Sequence, residues 1–286
     1  MIPAPFDYAR PSTVDEAVRA LASGGEDAKA LAGGQSLLPL LRLRMAAPGL
    51  LVDLGGIEEL RGIREDGDDV VIGAMTTHAA LLADPLVRRY APVVVQTVAT
   101  VADRQVRHRG TFGGSLAHAD PAGDLPTAAV AADATLEIAG PSGRRTVAAA
   151  DFFVDYLTTA LEPDEVLVCA RVPKRPDWGG AYLKFNRTAQ AWAMVGVAAT
   201  VRRDNGTIAE ARVALTNMGP TPVRARAVEE ALAGVPATRS AIGSAAALAG
   251  EGTHPTSDVS ASAEYRLHLA EVLTGRALAA AAGAVD

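Results

Sequence analysis

The sequence predicts a mixed α/β (α+β) protein: two small α/β subdomains, residues 1–56 and 57–176, followed by a small antiparallel sheet with helices over residues 177–286. Three observations carry this expectation. Between Ala28 and Leu54 an apolar run, a glycine turn, a helical stretch and a second apolar run follow one another, which is the pattern of a βαβ unit. Pro173 to Gly180 then gathers prolines, Asp177 and two glycines, a boundary composition. Beyond it, two long apolar runs are joined by Asp204-Asn205-Gly206, which is hairpin chemistry.

Taken in order, Ser12 or Thr13 caps a first helix with Asp15 and Glu16 in its first turn, and Val14, Ala17, Val18 and Leu21 form one apolar face before Gly24 and Gly25. Ala28 to Ala32 reads as a strand, Leu37 to Arg44 as a helix that tolerates Pro39 in its first turn, and Leu50 to Leu54 as the returning strand. Glu58 to Ile63, an acidic turn around Gly67 and the strand Val70 to Met75 open the second subdomain. Helices are expected from Asp84-Pro85 and over Ala91 to Ala102, then a loop over Arg107 to Pro126, a helix from Leu125 to Ala132, and strands at Thr135 to Ile138 and Glu165 to Val172. The C-terminal part should hold three strands, Ala181 to Asn186, Ala193 to Arg203 and Thr207 to Thr216. Helices follow over Arg224 to Leu232, Ala241 to Ala249 and Ser262 to Ala282, the last with Tyr265, Leu269, Val272 and Leu273 on one face.

Composition removes several function classes. A chain of 286 residues that is 49% apolar can bury a sizeable core. A formal net charge of -6 argues against a nucleic-acid partner, which needs a basic face. One cysteine, Cys169, lies in an apolar alternation and reads as a buried small hydrophobe; a single thiol supplies neither a disulfide nor the four thiolates an iron-sulfur cluster usually takes. Prolines and Asp7 interrupt the N-terminus where a signal peptide needs an apolar stretch, and the longest apolar runs are far short of a membrane span, so a cytoplasmic protein is expected.

The chemistry concentrates in Arg107 to Pro126, RHRGTFGGSLAHADPAGDLP, with Gly110, Gly113, Gly114, Thr111, Ser115, Asp120 and Asp124. Adjacent glycines allow a turn with φ > 0 whose N–H groups cradle an anion, so this stretch and a second glycine pair in Ala32 to Ser36 are candidate nests for a phosphate-bearing ligand. Neither G-x-G-x-x-G nor a P-loop is present. Gly113 to Ala117 resembles a loose nucleophile elbow but lacks the last glycine, and neighbouring His118 and Asp120 are poor triad partners. His108, His118, Asp120 and Asp124 are irregularly spaced for a metal. Arg104, Arg107 and Arg109 form a solvated face, balance a phosphate or dock an acidic partner; Trp192 is either a core residue or a stacking surface for an aromatic cofactor.

Together these residues resemble the FAD-binding medium subunits of the molybdenum hydroxylases, the xanthine dehydrogenase and aerobic carbon monoxide dehydrogenase family, and within it the carbon monoxide dehydrogenase branch. The resemblance runs from PFDYARPSTVDEAV through LAGGQSLLPLLRLR, LLVDL, RHRGTFGGSLAHADPAGDLP, TTALEPDEVL, AYLKF and GPTPVRA to SAEYRLHLAEVLTGRAL. Phe112 stands where a branched aliphatic is usual, His108 where the pattern has Asn, and Gln190-Ala191 where Gly-Asp precedes the aromatic.

The resemblance implies a vanillyl-alcohol-oxidase-like (PCMH-type) FAD-binding fold and a three-stranded C-terminal sheet. It implies that Leu31, Ala32, Gly33, Gly34, Gln35, Ser36, Leu37 and Leu38, with Thr111, Gly113, Gly114 and Ser115, hold the pyrophosphate and ribityl chain, and that Gly110 and Asp120 belong to the same site. Val101 and Leu161 supply apolar contacts, Asp124 accepts from a flavin hydroxyl, Lys184 lies towards the ring system and Trp192 beside the isoalloxazine. Gly114→Val should then block FAD retention. The implied complex has a small iron-sulfur subunit with two-iron two-sulfur clusters and a large subunit with the molybdenum cofactor, as a dimer of heterotrimers, soluble or held at the inner face of the membrane through partners. This chain would pass electrons to a quinone, NAD or oxygen. Carbon monoxide, purines, aldehydes and N-heterocycles are the substrates such complexes oxidise. A non-redox scaffold on the same fold and a stand-alone flavin oxidase are the competing readings.

Overall fold

The computed structural model describes residues 2–284. Strand β1 (Asp7–Ala9) leads to helix α1 (Val14–Gly24), where Thr13 accepts from Glu16 N–H and the Glu16 carboxylate accepts from the Ser12 N–H and hydroxyl, a reciprocal cap. β2 (Ala28–Leu31), α2 (Leu37–Leu43) and β3 (Leu50–Asp53) form the expected βαβ unit, with β2 and β3 parallel. β1 adds itself parallel on the other side of β3, giving the order β1-β3-β2.

The second subdomain opens with β4 (Ile63–Asp66) and β5 (Asp69–Gly73), then α3 (His78–Ala83), α4 (Pro85–Tyr90), α5 (Pro92–Ala99), α6 (Arg104–Arg109), α7 (Phe112–His118) and α8 (Asp124–Ala131). β6 (Thr135–Gly140), β7 (Gly143–Ala148), α9 (Ala149–Phe152), the small hairpin β8 (Phe153–Asp155) and β9 (Thr158–Thr159), and β10 (Val166–Pro173) complete it. Its antiparallel sheet has the order β4-β5-β10-β6-β7. Arg107 to Pro126 is therefore largely helical, contrary to the expected loop. Gly113 and Gly114 lie in α7 and neither has φ > 0; of the two glycine pairs only Gly34 does, at 74°. Thr111 starts that helix, accepting from Gly114 N–H at 3.1 Å, and the glycines there make room rather than a turn.

The C-terminal sheet runs β11 (Trp178–Phe185), β12 (Val195–Asp204), β13 (Thr207–Thr216) and β14 (Val223–Arg224), antiparallel throughout. The two-residue β14 is a fourth strand beyond the three expected. α10 (Arg226–Leu232), α11 (Arg239–Ala246) and α12 (Ala263–Ala282) cover one face, where Ala181, Val197, Ala199, Val213 and Leu215 meet them. The other face presents Tyr182, Ala198 and Ala214 to the core of the second subdomain, and the two alanines let α8 approach so closely that all eight of its residues are buried. On α12, Tyr265 is exposed, and the buried stripe runs through Arg266, Leu269, Ala270 and Leu273 instead. At the seam Asp133 receives Arg175, Arg212 and Arg224 at 2.6–3.0 Å; burial opposes its ionisation, but the arginine hydrogen bonds hold its carboxyl below the usual range.

Candidate functional site: a cleft between two glycine turns

A cleft of about 700 Å³, within the range of small-molecule sites, opens where the first subdomain, the second subdomain and the C-terminal sheet meet. Its lining includes Ala32, Gly33, Gly34, Gln35, Ser36 and Leu37 from the β2–α2 turn; Val101; Gly110, Thr111, Gly113, Gly114 and Ser115 around the start of α7; Asp120 and Asp124; Leu161; and Lys184 and Trp192. Leu31 and Leu38 do not line it. Both sit beside Gly34, where an added Cβ would lie 2.8 Å from Leu38 Cδ1 and 3.5 Å from Leu31 Cδ1.

The two turns meet backbone to backbone. A Cβ on Gly33 would strike the Arg109 carbonyl oxygen and lie 2.9 Å from both the Arg109 carbonyl carbon and Gly110 Cα. A Cβ on Gly113 would run into Ala74, and one on Gly114 would lie 2.6 Å from Thr111 Oγ1 and 3.3 Å from Ala32 Cβ. The turns differ in what they offer a ligand. From Gly33 to Ser36 no backbone N–H has an acceptor among the described residues, and Gln35 Nε2 donates back to Gly33 O at 3.1 Å, which fixes the turn. In α7 the N–H groups of Phe112, Gly113 and Gly114 are already taken by Thr76 O, Ala74 O and Thr111 Oγ1. Only the first turn thus has N–H groups to spare for an anion; the second is a wedge that contributes side chains and close backbone approach.

His78, which the sequence reading missed, holds that wedge. Its N–H donates to Gly110 O at 2.9 Å, and its ring Nε2 lies 3.1 Å from Thr111 O and 3.2 Å from Ser115 Oγ. A carbonyl only accepts, so Nε2 carries the proton, leaving Nδ1 buried and without a partner. Burial pushes the ring down to about 4, with Arg107 adding to the effect against the Thr111 carbonyl. An imidazole with a protonated Nε2 donates toward Ser115 Oγ instead of taking its proton, and His118 approaches Asp120 but makes no hydrogen bond to Ser115. Only Thr76-Thr77 after a strand end hinted at His78.

The metal candidates disperse. His108 is exposed on α6 outside the cleft; His118 Nε2 is 3.9 Å from Asp120 Oδ2, and Asp120 Oδ1 caps Ala122 N–H at 2.9 Å. No group of three or more His, Cys, Asp or Glu suited to a metal occurs among the described residues. Arg107 is structural, donating to Val101 O and Ala102 O.

Asp124 is the buried charge of the site. Its Oδ2 accepts from Lys184 Nζ at 2.8 Å and its Oδ1 from the Tyr182 hydroxyl at 2.6 Å. Burial pushes the Asp124 carboxyl up while Lys184 and Tyr182 pull it down, and the Tyr182 phenol is raised well above its usual value by burial beside Asp124. Two short donors, one on each oxygen, are what a carboxylate accepts. Tyr182 lay hidden in an apolar strand. Trp192 is half exposed at the cleft, on a loop tied down by Asn217 Nδ2 to Ala193 O at 2.7 Å and by buried Arg266 to Met194 O.

A family model described as the FAD binding domain in molybdopterin dehydrogenase matches residues 4–175. The chain belongs to that family. A second model, the CO dehydrogenase flavoprotein C-terminal domain, matches residues 180–281. The chain is 43% identical to the carbon monoxide dehydrogenase medium chain of Hydrogenophaga pseudoflava, over 98% of each chain. Among solved structures it is similar to a carbon monoxide dehydrogenase from Hydrogenophaga pseudoflava that lacks the Mo-pyranopterin moiety (45% identity, 98% of each chain, TM-score 0.95). It is also similar to quinoline 2-oxidoreductase from Pseudomonas putida 86 (37%, 99% of each chain, TM-score 0.94). The fold is thus the vanillyl-alcohol-oxidase-like FAD fold of these flavoprotein chains, and FAD is the family's cofactor. The cleft fits it: an unpartnered N–H nest suits a pyrophosphate, glycine contacts let a bulky ligand approach the backbone, and the rest of the wall includes apolar surface and two lysines, Lys29 and Lys184.

Proposed function

We propose that this chain is the FAD-carrying electron-transfer subunit of a molybdenum hydroxylase of the carbon monoxide dehydrogenase type. The observation that supports it most is the nest of free N–H groups from Gly33 to Ser36, set in a cleft also lined by Lys184 and Trp192. FAD, when bound, accepts electrons from one-electron donors and delivers them to an acceptor. This chain's residues bind and orient it. Gly33 to Ser36 receive the pyrophosphate, Thr111 and Ser115 line the chain that links it to the ring, the Asp124–Lys184 pair sets the local charge, and Trp192 shields one side from water. No general acid or base is required.

The electron donor belongs to another polypeptide. The one thiol, Cys169, is buried and pushed up to about 11 by its apolar surroundings and then by Glu137, the opposite of a thiolate ligand. A small subunit with two-iron two-sulfur clusters, a large subunit with the molybdenum cofactor, and assembly as a dimer of heterotrimers complete the reading. No helix among the described residues is long and apolar enough to cross a membrane. A cytoplasmic complex that reaches a membrane acceptor only through partners is the setting proposed. Carbon monoxide is the proposed substrate, on the full-length identity to a carbon monoxide dehydrogenase medium chain. The likeness to quinoline 2-oxidoreductase favours an N-heterocycle as the second reading.

The test is to purify the chain with its neighbouring subunits and record the flavin spectrum, then dye reduction with carbon monoxide and with quinoline. A yellow complex that reduces dye with carbon monoxide is expected. A colourless complex unable to take up FAD would refute the redox role, and full activity without flavin would establish a scaffold.

A further inference from the structure

We infer that Tyr182 is a positioning residue that holds the Asp124–Lys184 pair charged inside the cleft, and through it sets the reduction potential of bound FAD. The inference rests on the FAD-binding reading above and goes beyond it. Lys184 is 5% and Asp124 4% exposed at the side chain, so the pair lies outside bulk water although both residues line the cleft. The ammonium has three protons. One goes to Asp124 Oδ2 at 2.8 Å, a second has only Thr100 O at 3.5 Å, and the third has no acceptor among the described residues, which leaves it for the occupant of the cleft.

A buried ion pair persists only where its remaining lone pairs are satisfied. Tyr182 does this for Asp124 Oδ1, and its own oxygen lies 3.1 Å from Thr216 Oγ1, which is 2.8 Å from Thr127 Oγ1. The place for the hydroxyl is built: a Cβ on Gly196, the β12 partner of Lys184, would fall on the Tyr182 oxygen. The phenol therefore stabilises the carboxylate, the carboxylate holds the ammonium, and the ammonium presents a positive charge that favours reduced, more negative FAD over the oxidised form.

The experiment uses the purified complex and measures the midpoint potential of bound FAD, its dissociation constant and the thermal midpoint for wild type, Tyr182→Phe, Lys184→Met and the double variant. Tyr182→Phe should weaken reduced FAD relative to oxidised FAD about tenfold, a fall of about 30 mV for two electrons. Lys184→Met should lower the potential at least as far, and the double variant no further than Lys184→Met alone. Should Tyr182→Phe fail to assemble, Thr216→Val, which touches only the far side of the phenol, should give a smaller fall in the same direction. An unchanged potential in both variants, or additive falls in the double variant, overturns the inference. A complex that holds no FAD in wild type overturns the reading beneath it instead.

Discussion

Gly33→Ala tests the convergence of the two turns directly. The added Cβ would sit 2.9 Å from the Arg109 carbonyl carbon and from Gly110 Cα, and nearer still to the Arg109 oxygen. Carbon atoms rest at about 3.5–4.0 Å, so the turns must part by roughly 0.6 Å or more, and both obstacles are backbone. Overpacking of this kind costs about 1–3 kcal/mol, which for a chain of this size is a fall of roughly 2–12 °C in Tm. The larger effect should fall on the cofactor. Shifting the first turn misaims its free N–H groups, and losing one hydrogen bond to a charged group, about 1.5–3 kcal/mol, weakens FAD about tenfold to a hundredfold. The assay is fluorescence titration of the deflavinated complex with FAD, alongside Gly243→Ala, whose Cβ meets nothing within 4 Å and which should bind as wild type. Wild-type FAD affinity in Gly33→Ala would refute both the backbone contact and the role of the first turn.

Three further outcomes are expected. Gly114→Val places a branched side chain against Thr111 Oγ1 and Ala32, so it should uncap α7 and abolish FAD retention; flavin content per protein after gel filtration is the check. His78 is depressed from 6.5 to about 4, so the unfolded chain binds the proton first: stability is full above about pH 6.5 and falls by ~3 kcal/mol as pH drops to about 4. Denaturant midpoints across that window should show the slope, and it should flatten in His78→Gln, whose amide still reaches Thr111 O. With its thiol raised to about 11 and buried, Cys169 should resist iodoacetamide at neutral pH in the folded protein and react once unfolded, as intact mass will record.

Much of the fold was legible because local signals agreed with the tertiary structure. Thr13 with Glu16, the Ala28–Leu54 alternation and Asp204-Asn205-Gly206 each specify an element through chemistry contained within a few residues. The candidate site was legible in outline for the same reason: glycines at 33, 34, 110, 113 and 114 mark where backbone is crowded. Their division of labour was not. Glycine serves positive φ and close approach equally, and only the position of Ala74 against Gly113 and of Arg109 against Gly33 decides between the two uses. His78 and Tyr182 escaped because their partners lie 33 to 58 residues away, and no period in a sequence carries such a pairing.

Those distant pairings also bear on how separable the two halves are. The chain crosses from one sheet to the next between Pro173 and Trp178, yet α8 belongs to both halves at once. All eight of its residues are buried, it packs against β12 and β13, and its first residue, Asp124, draws both of its side-chain donors from β11. Without the C-terminal sheet, Asp124 would be a carboxylate stripped of Tyr182 and Lys184, and the buried Thr127 hydroxyl would lose Thr216. The C-terminal part is thus a wall of the cleft proposed for FAD and a cover for the helix whose first turn lines it, and the charge in that cleft exists only when both parts are folded together.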